Sequence, residues 1–131
     1  MADFEVLGLA YPSFYIKDYD VAVAFYTEVF GPPETNEPRI KGWRLGDTWL
    51  TLFPSEDLGH DPAGNPRNCE FAIRVAEQEH VDALYARLLE AGATSCMAPE
   101  DTEMYDPMRF CCVDDPVGIR IDVYCPIKTS S

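Results

Sequence analysis

Residues 11–31 read YPSFYIKDYDVAVAFYTEVFG, and residues 70–92 read EFAIRVAEQEHVDALYARLLEAG. The two stretches follow one grammar, the mark of an internal repeat. In the first, Phe14 and Ile16 alternate with Ser13, Tyr15 and Lys17, the period of a half-buried strand. An acidic turn follows, where Asp18 or Asp20 can cap a helix whose N-terminal end favours carboxylates. Ala22, Phe25, Val29 and Phe30 then share one helical face. Gly31 ends the helix, and Pro32-Pro33 bars its return. In the second, Phe71, Ile73 and Val75 form a strand face, Val81, Leu84, Tyr85 and Leu88 form a helix stripe, and Gly92 stops it. Laid on one another, the two stretches pair Asp18 with Glu77 and Tyr26 with Tyr85.

Strand signals follow each helix. They fall at 39–44 and 48–53 in the first half, around a Gly46-Asp47 turn, and at 93–97, 108–113 and 119–124 in the second, with Asp114-Asp115-Pro116-Val117-Gly118 as a turn. The segment from Pro54 to Asn68 is rich in Pro, Gly, Asn and Asp and reads as a surface linker. The chain therefore divides into module one (about 8–54), a linker (55–68) and module two (about 69–126), all within one domain spanning 1–131. One module alone buries too little for comfortable stability. The expected fold is α+β: two βαβββ-type modules with curved mixed sheets around a shared cavity and the helices outside. Phe14, Ile16, Phe71, Ile73, Val75, Ile121 and Val123 would carry the helices on the convex faces.

The chain has 131 residues, 47% of them hydrophobic, which fits one globular domain and excludes collagen-like or wholly disordered readings. Its net charge of −13 repels nucleic-acid phosphates and anionic lipid, while favouring solubility and cationic ligands. No apolar run is long enough to span a membrane, and the N-terminus lacks the basic start and apolar core of a signal peptide. Cys69, Cys96, Cys111, Cys112 and Cys125 follow no disulfide-scaffold or zinc spacing and read as reduced thiols of a cytoplasmic protein. His60 falls in the linker and His80 at the outer side of the second helix; both read as surface residues.

The pieces IKDYDVAVAFYTEVFG at 16–31 and MRFCCVDDPVGIRIDVY at 108–124 resemble the vicinal oxygen chelate superfamily. That group includes glyoxalase I, extradiol dioxygenases, fosfomycin-resistance enzymes and bleomycin-resistance proteins. The resemblance covers roughly residues 8–126 and implies homodimers that pair modules across subunits, some of them exchanging the N-terminal strand. Pro12 suits such an edge or swapped arm. The resemblance also implies a site of His or Gln from the first strands and Glu from the last strands. The matching positions here are Tyr11, Thr51, Glu70 and Asp122, with no histidine among them. First-row metals favour imidazole with carboxylate, so only Glu70 and Asp122 remain as weak ligands for a divalent ion.

Alternation turns Tyr11, Ser13, Tyr15, Trp49, Thr51 and Phe53 toward the cavity from module one, and Glu70, Ala72, Arg74, Arg120, Asp122 and Tyr124 from module two. Aromatic faces with carboxylates suit flat or cationic ligands, unless Arg74 or Arg120 simply neutralises Glu70 and Asp122. Tyr105 and Met108 are candidates for the pocket rim or for ordinary loop packing. The reading favours a metal-free small-molecule binder of the bleomycin-resistance type over an enzyme. The alternatives are a metal-dependent lyase, isomerase or dioxygenase with atypical ligands, and a metal-free enzyme with Glu70 or Asp122 as general base.

Overall fold

A computed structural model describes residues 5, 7, 10–58, 69–103 and 106–128. Strand β1 (Ser13–Ile16) leads into helix α1 (Tyr19–Phe30), then β2 (Thr35–Glu37), β3 (Ile40–Leu45), β4 (Thr48–Pro54) and a 3-10 turn (Ser55–Leu58). The second half repeats the order: β5 (Glu70–Arg74), α2 (Gln78–Glu90), β6 (Thr94–Glu103), β7 (Pro107–Asp114) and β8 (Arg120–Pro126). Each half builds one four-stranded mixed sheet, ordered β1-β4-β3-β2 and β5-β8-β7-β6. The fold is the expected α+β pair of βαβββ units.

The registers show how closely the halves correspond. Parallel pairing sets Ser13 beside Thr51 in the first sheet and Ala72 beside Asp122 in the second. Tyr11 and Glu70 each stand two residues before those anchors, so Tyr11 with Thr51 and Glu70 with Asp122 occupy equivalent places.

One face of each sheet is covered by its helix. Ile16, Leu50, Leu52, Val81, Leu88, Val113, Ile121 and Val123 are all buried there, with Phe14, Phe71, Ile73 and Val75 packed around them. Removing this apolar surface from water is the main driving term of the fold, at about 25 cal/mol per Å². The two halves share that core. Phe14 and Phe71 sit with ring centroids 6.1 Å apart, and Tyr26 of α1 lies 6.4 Å from Phe71. Arg87 of α2 donates to the Glu28 carbonyl of α1 at 2.8 Å.

The turn between β7 and β8 is fixed by one side chain. Asp115 Oδ1 accepts the backbone N–H groups of Val117 at 2.9 Å and Ile119 at 2.8 Å. Its Oδ2 accepts the Tyr26 hydroxyl at 2.7 Å. Gly118 takes φ +98° in this turn, a conformation that L side chains avoid.

Several local expectations change. Asp18 is the N-terminal flanking residue of α1, but its side chain makes no capping hydrogen bond. Tyr26, not Val29 or Phe30, is fully buried beside Phe25 and Ala22. A short strand, β2, follows the Pro32-Pro33 break, where no strand was expected. Strand β6 runs on past Met97 to Glu103 through register shifts between Ser95 and Glu100. Pro99 is tolerated there because β6 is the edge of its sheet. Pro54 belongs to β4, while most of the expected linker, His60 included, lies outside the described residues. Among the described residues no helix is long and apolar enough to cross a membrane.

Candidate functional site

The faces opposite the helices carry the polar and aromatic residues. In the first sheet, Tyr15 and Phe53 stack at 5.1 Å with 17° between their planes. Trp49, on the same face of β4, is half-buried and lies over Gly42, where its Cε3 is 3.6 Å from the place a Cβ would take. Thr51 between them is nearly buried, and its backbone N–H donates to the Pro12 carbonyl at 3.2 Å. Tyr11 is 58% exposed, so it stands away from the packed face.

In the second sheet, the helix-free face carries Glu70, Ala72 and Arg74 from β5, then Asp122 and Tyr124 from β8, then Met108, Phe110 and Cys112 from β7. Met108 is buried with Phe110 and Cys112, and Tyr124 packs on that cluster. Met108 is therefore a strand residue under the face rather than part of an open loop rim. Tyr105 lies outside the described residues.

The charges arrange themselves differently from the expected neutral cluster. Arg120 does not reach across to Asp122; its Nε donates to Asp114 Oδ1 at 2.9 Å and its Nη2 to Asp114 Oδ2 at 3.2 Å. Asp114 and Arg120 face one another directly across the β7–β8 hairpin, which favours this pair over the diagonal one. Among the described residues Arg74 forms no ion pair, and its neighbour in the register is Tyr124. Asp122 instead meets Glu70. Burial and the neighbouring Glu70 carboxyl push the Asp122 carboxyl up to about 6, against a lowering influence of the Arg120 charge. Like charges so placed resist joint ionisation, so Asp122 keeps its proton to a higher pH than a free carboxyl does.

A cleft of about 770 Å³ opens beside this pair, between the β3–β4 hairpin and β5. Arg44, Trp49, Glu70, Ala72 and Arg74 line it, with Pro12 at its edge. Glu70 and Trp49 thus share one hollow, whose lining among the described residues does not include Tyr11, Thr51 or Asp122. A second hollow of about 470 Å³, at the start of α1 between Lys17, Asp20 and Glu56, holds none of these residues. Arg44 and Gly42 were not singled out from the sequence. Glycine inside a strand was the available signal, since it marks close approach of another group.

A metal held here would rest on Glu70 and Asp122. No group of three His, Cys, Asp or Glu side chains is placed to hold an ion among the described residues. Two carboxylates with a buried Thr hydroxyl do not make the nitrogen-rich donor set that first-row metals prefer. The set therefore does not fit such an ion.

The comparisons with known proteins agree with the fold. Residues 8–123 match the family model of the Glyoxalase/Bleomycin resistance protein/Dioxygenase superfamily. The chain is 33% identical over 90 residues to metallothiol transferase FosB of Shouchella clausii, a match that covers 67% of this chain. It spans 60% of the length of that relative. A glyoxalase-related enzyme from Fulvimarina pelagi superposes with TM-score 0.77 at 22% identity, covering 95% of this chain and 94% of that one. Lactoylglutathione lyase from Agrobacterium tumefaciens superposes with TM-score 0.69 at 20% identity, covering 92% and 94%. These two likenesses speak for the fold. With the family model spanning nearly its whole length, the chain belongs to the glyoxalase, bleomycin-resistance and dioxygenase superfamily, that of the vicinal oxygen chelate fold.

Proposed function

We propose that this protein binds a small, flat, cationic molecule in the cleft beside Glu70 and releases it chemically unchanged. The observation that carries the reading is the Glu70–Asp122 pair: two carboxyls close enough for Glu70 to raise Asp122, with the nearby Arg120 engaged by Asp114. A ligand cation would offset the repulsion between the two carboxylates, and the Trp49 ring supplies an aromatic wall for its flat face. The overall charge of −13 adds long-range attraction for such a ligand. Thr51, Phe53 and Tyr124 would shape the neighbouring walls.

The Tyr26–Asp115 bond and the shared core support one domain working as a unit. Exposed Tyr11 beside Pro12, just ahead of edge strand β1, supports a homodimer joined near that strand. None of the five cysteines is in a disulfide, which supports a cytoplasmic setting.

Titration of tryptophan fluorescence with planar aromatic cations tests the reading. Saturable quenching, weakened at least tenfold by Asp122→Asn, is expected. Indifference to every cation would overturn it. One observation favours a second reading: the FosB relative is named a metallothiol transferase. A divalent ion on Glu70 and Asp122 would serve a metal-dependent reaction there, and a stoichiometric metal surviving dialysis would decide for it.

A further inference from the structure

Strand β6 pairs with β7 in three successive registers. Ser95 faces Val113, but Met97 already faces Cys112, so Cys96 is the extra residue of a bulge. In such a bulge two residues oppose one on the partner strand. Cys96 and Met97 both oppose Cys112, which brings the Cys96 side chain near enough to act on the Cys112 thiol. Adjacent strands lie about 4.7–4.9 Å apart, within the Cα separation of about 4.4–6.8 Å that a disulfide spans.

We infer that Cys96 and Cys112 form a reversible intrachain disulfide when the protein meets a peroxide. The two thiols differ in the way this chemistry needs. Cys96 is exposed at the sheet edge, whereas Cys112 is buried beneath it. The Arg120 guanidinium lies within electrostatic reach of both sulfurs. Burial, Cys96 and Asp122 keep Cys112 protonated, with its thiol pushed up to about 12, so it is no competitor for the oxidant. Cys96 attacks hydrogen peroxide, breaking its O–O bond, and becomes a sulfenic acid as one water leaves. The Cys112 sulfur then attacks the Cys96 sulfur and expels hydroxide, which takes the Cys112 proton and leaves as the second water. Two electrons pass from the sulfurs to the peroxide, and no other reactant is needed.

Cys111, next in sequence, turns to the opposite, helix-covered face and is fully buried, as is most of Cys125. The bond would pin the edge strand to β7 one strand away from Asp122, which faces Cys112 in the register.

Titration of the folded protein with equimolar hydrogen peroxide, followed by thiol counting and tryptic mapping without reductant, tests this. The expected result is loss of two of the five thiols and a link between the peptides on either side of Arg109, reversed by dithiothreitol. Cys96→Ser, at an exposed position, and Cys112→Ser should each abolish the link, while Cys111→Ser should keep it. A link that survives Cys112→Ser would overturn the inference. So would Cys96 advancing to sulfinic acid with Cys112 still a free thiol, or Cys96 joined to a second chain. The wild-type map decides the matter even if Cys112→Ser fails to fold.

Discussion

Tyr26 of α1 donates its hydroxyl to Asp115 Oδ2 at 2.7 Å, across 89 positions of sequence, and both partners are buried. The bond ties the helix of the first half to the hairpin turn of the second. Tyr26→Phe removes the donor and leaves a buried carboxylate oxygen unpaired, so it should cost about 1–3 kcal/mol. Denaturant unfolding at neutral pH measures this. Burial and the nearby Asp115 hold the Tyr26 phenol well above its usual value of 10.0. A phenol raised in the fold keeps its proton after the unfolded chain has lost it. Stability should therefore fall as pH climbs beyond that usual value. Tyr26→Phe should abolish that part of the alkaline decline.

The Glu70–Asp122 pair should leave its own mark on stability. The Asp122 carboxyl rises from 3.8 to about 6, mainly through burial and the Glu70 charge. Its raised value means that the fold binds the proton more tightly than the unfolded chain does. The stabilising contribution is complete in acid below 3.8 and is lost as pH rises toward about 6. The whole shift would correspond to about 3 kcal/mol, and solvent screening at this partly exposed site leaves about 1 kcal/mol. Asp122→Asn should thus stabilise the protein by about 1 kcal/mol near neutral pH, and the gain should vanish at pH about 3. Unfolding curves at both pH values would show it, and an equal gain at both would point to packing instead of charge.

The two tryptophans should report differently. Trp43 is 1% exposed and its Nε1 donates to the Gly31 carbonyl at 2.8 Å, within the core. Trp49 lines the cleft. Quenching by a planar cation should survive Trp43→Phe and disappear in Trp49→Phe. Trp43→Phe should instead lower stability by about 1–3 kcal/mol, since it strands a carbonyl and shrinks a core side chain. Quenching that follows Trp43 would place the ligand elsewhere.

Much of the fold was legible because the repeat carries it. Asp18 and Glu77, paired by sliding one half on the other, do flank the two helices as their N-terminal residues. Thr51 and Asp122 correspond through the parallel registers instead, which set Ser13 beside Thr51 and Ala72 beside Asp122. What stayed hidden depended on cross-strand geometry. Arg120 has Glu70 beside it in one register and Asp114 opposite in another, with Asp122 on its own strand, and only the hairpin closure selects Asp114. The bulge at Cys96 was equally silent, because a register shift leaves no trace in a strand read alone. The burial of Met108 with Phe110 and Cys112 was hidden too, because it depends on Tyr124 of the neighbouring strand packing over them.

Gly42 separates fold from binding most sharply. It sits inside β3, where an added Cβ would lie 3.3 Å from Thr35 Cβ and 3.6 Å from Trp49 Cε3. Its backbone is not in the left-handed region, so alanine there meets crowding without torsional strain. Two effects oppose one another in Gly42→Ala. Loss of glycine's unfolded-state freedom favours the fold by about 0.5–1 kcal/mol. Crowding in packed surroundings costs about 1–3 kcal/mol, with the lower end applying where a neighbour can yield. Thr35 belongs to β2, a three-residue edge strand, which can shift outward. Net stability should therefore change by less than about 1 kcal/mol. The Trp49 ring, however, loses the flat floor on which it rests, so affinity for a planar cation should fall several-fold. Parallel unfolding and fluorescence titrations would separate the two effects. Unchanged affinity would show that the position of Trp49 over Gly42 does not set the cleft wall.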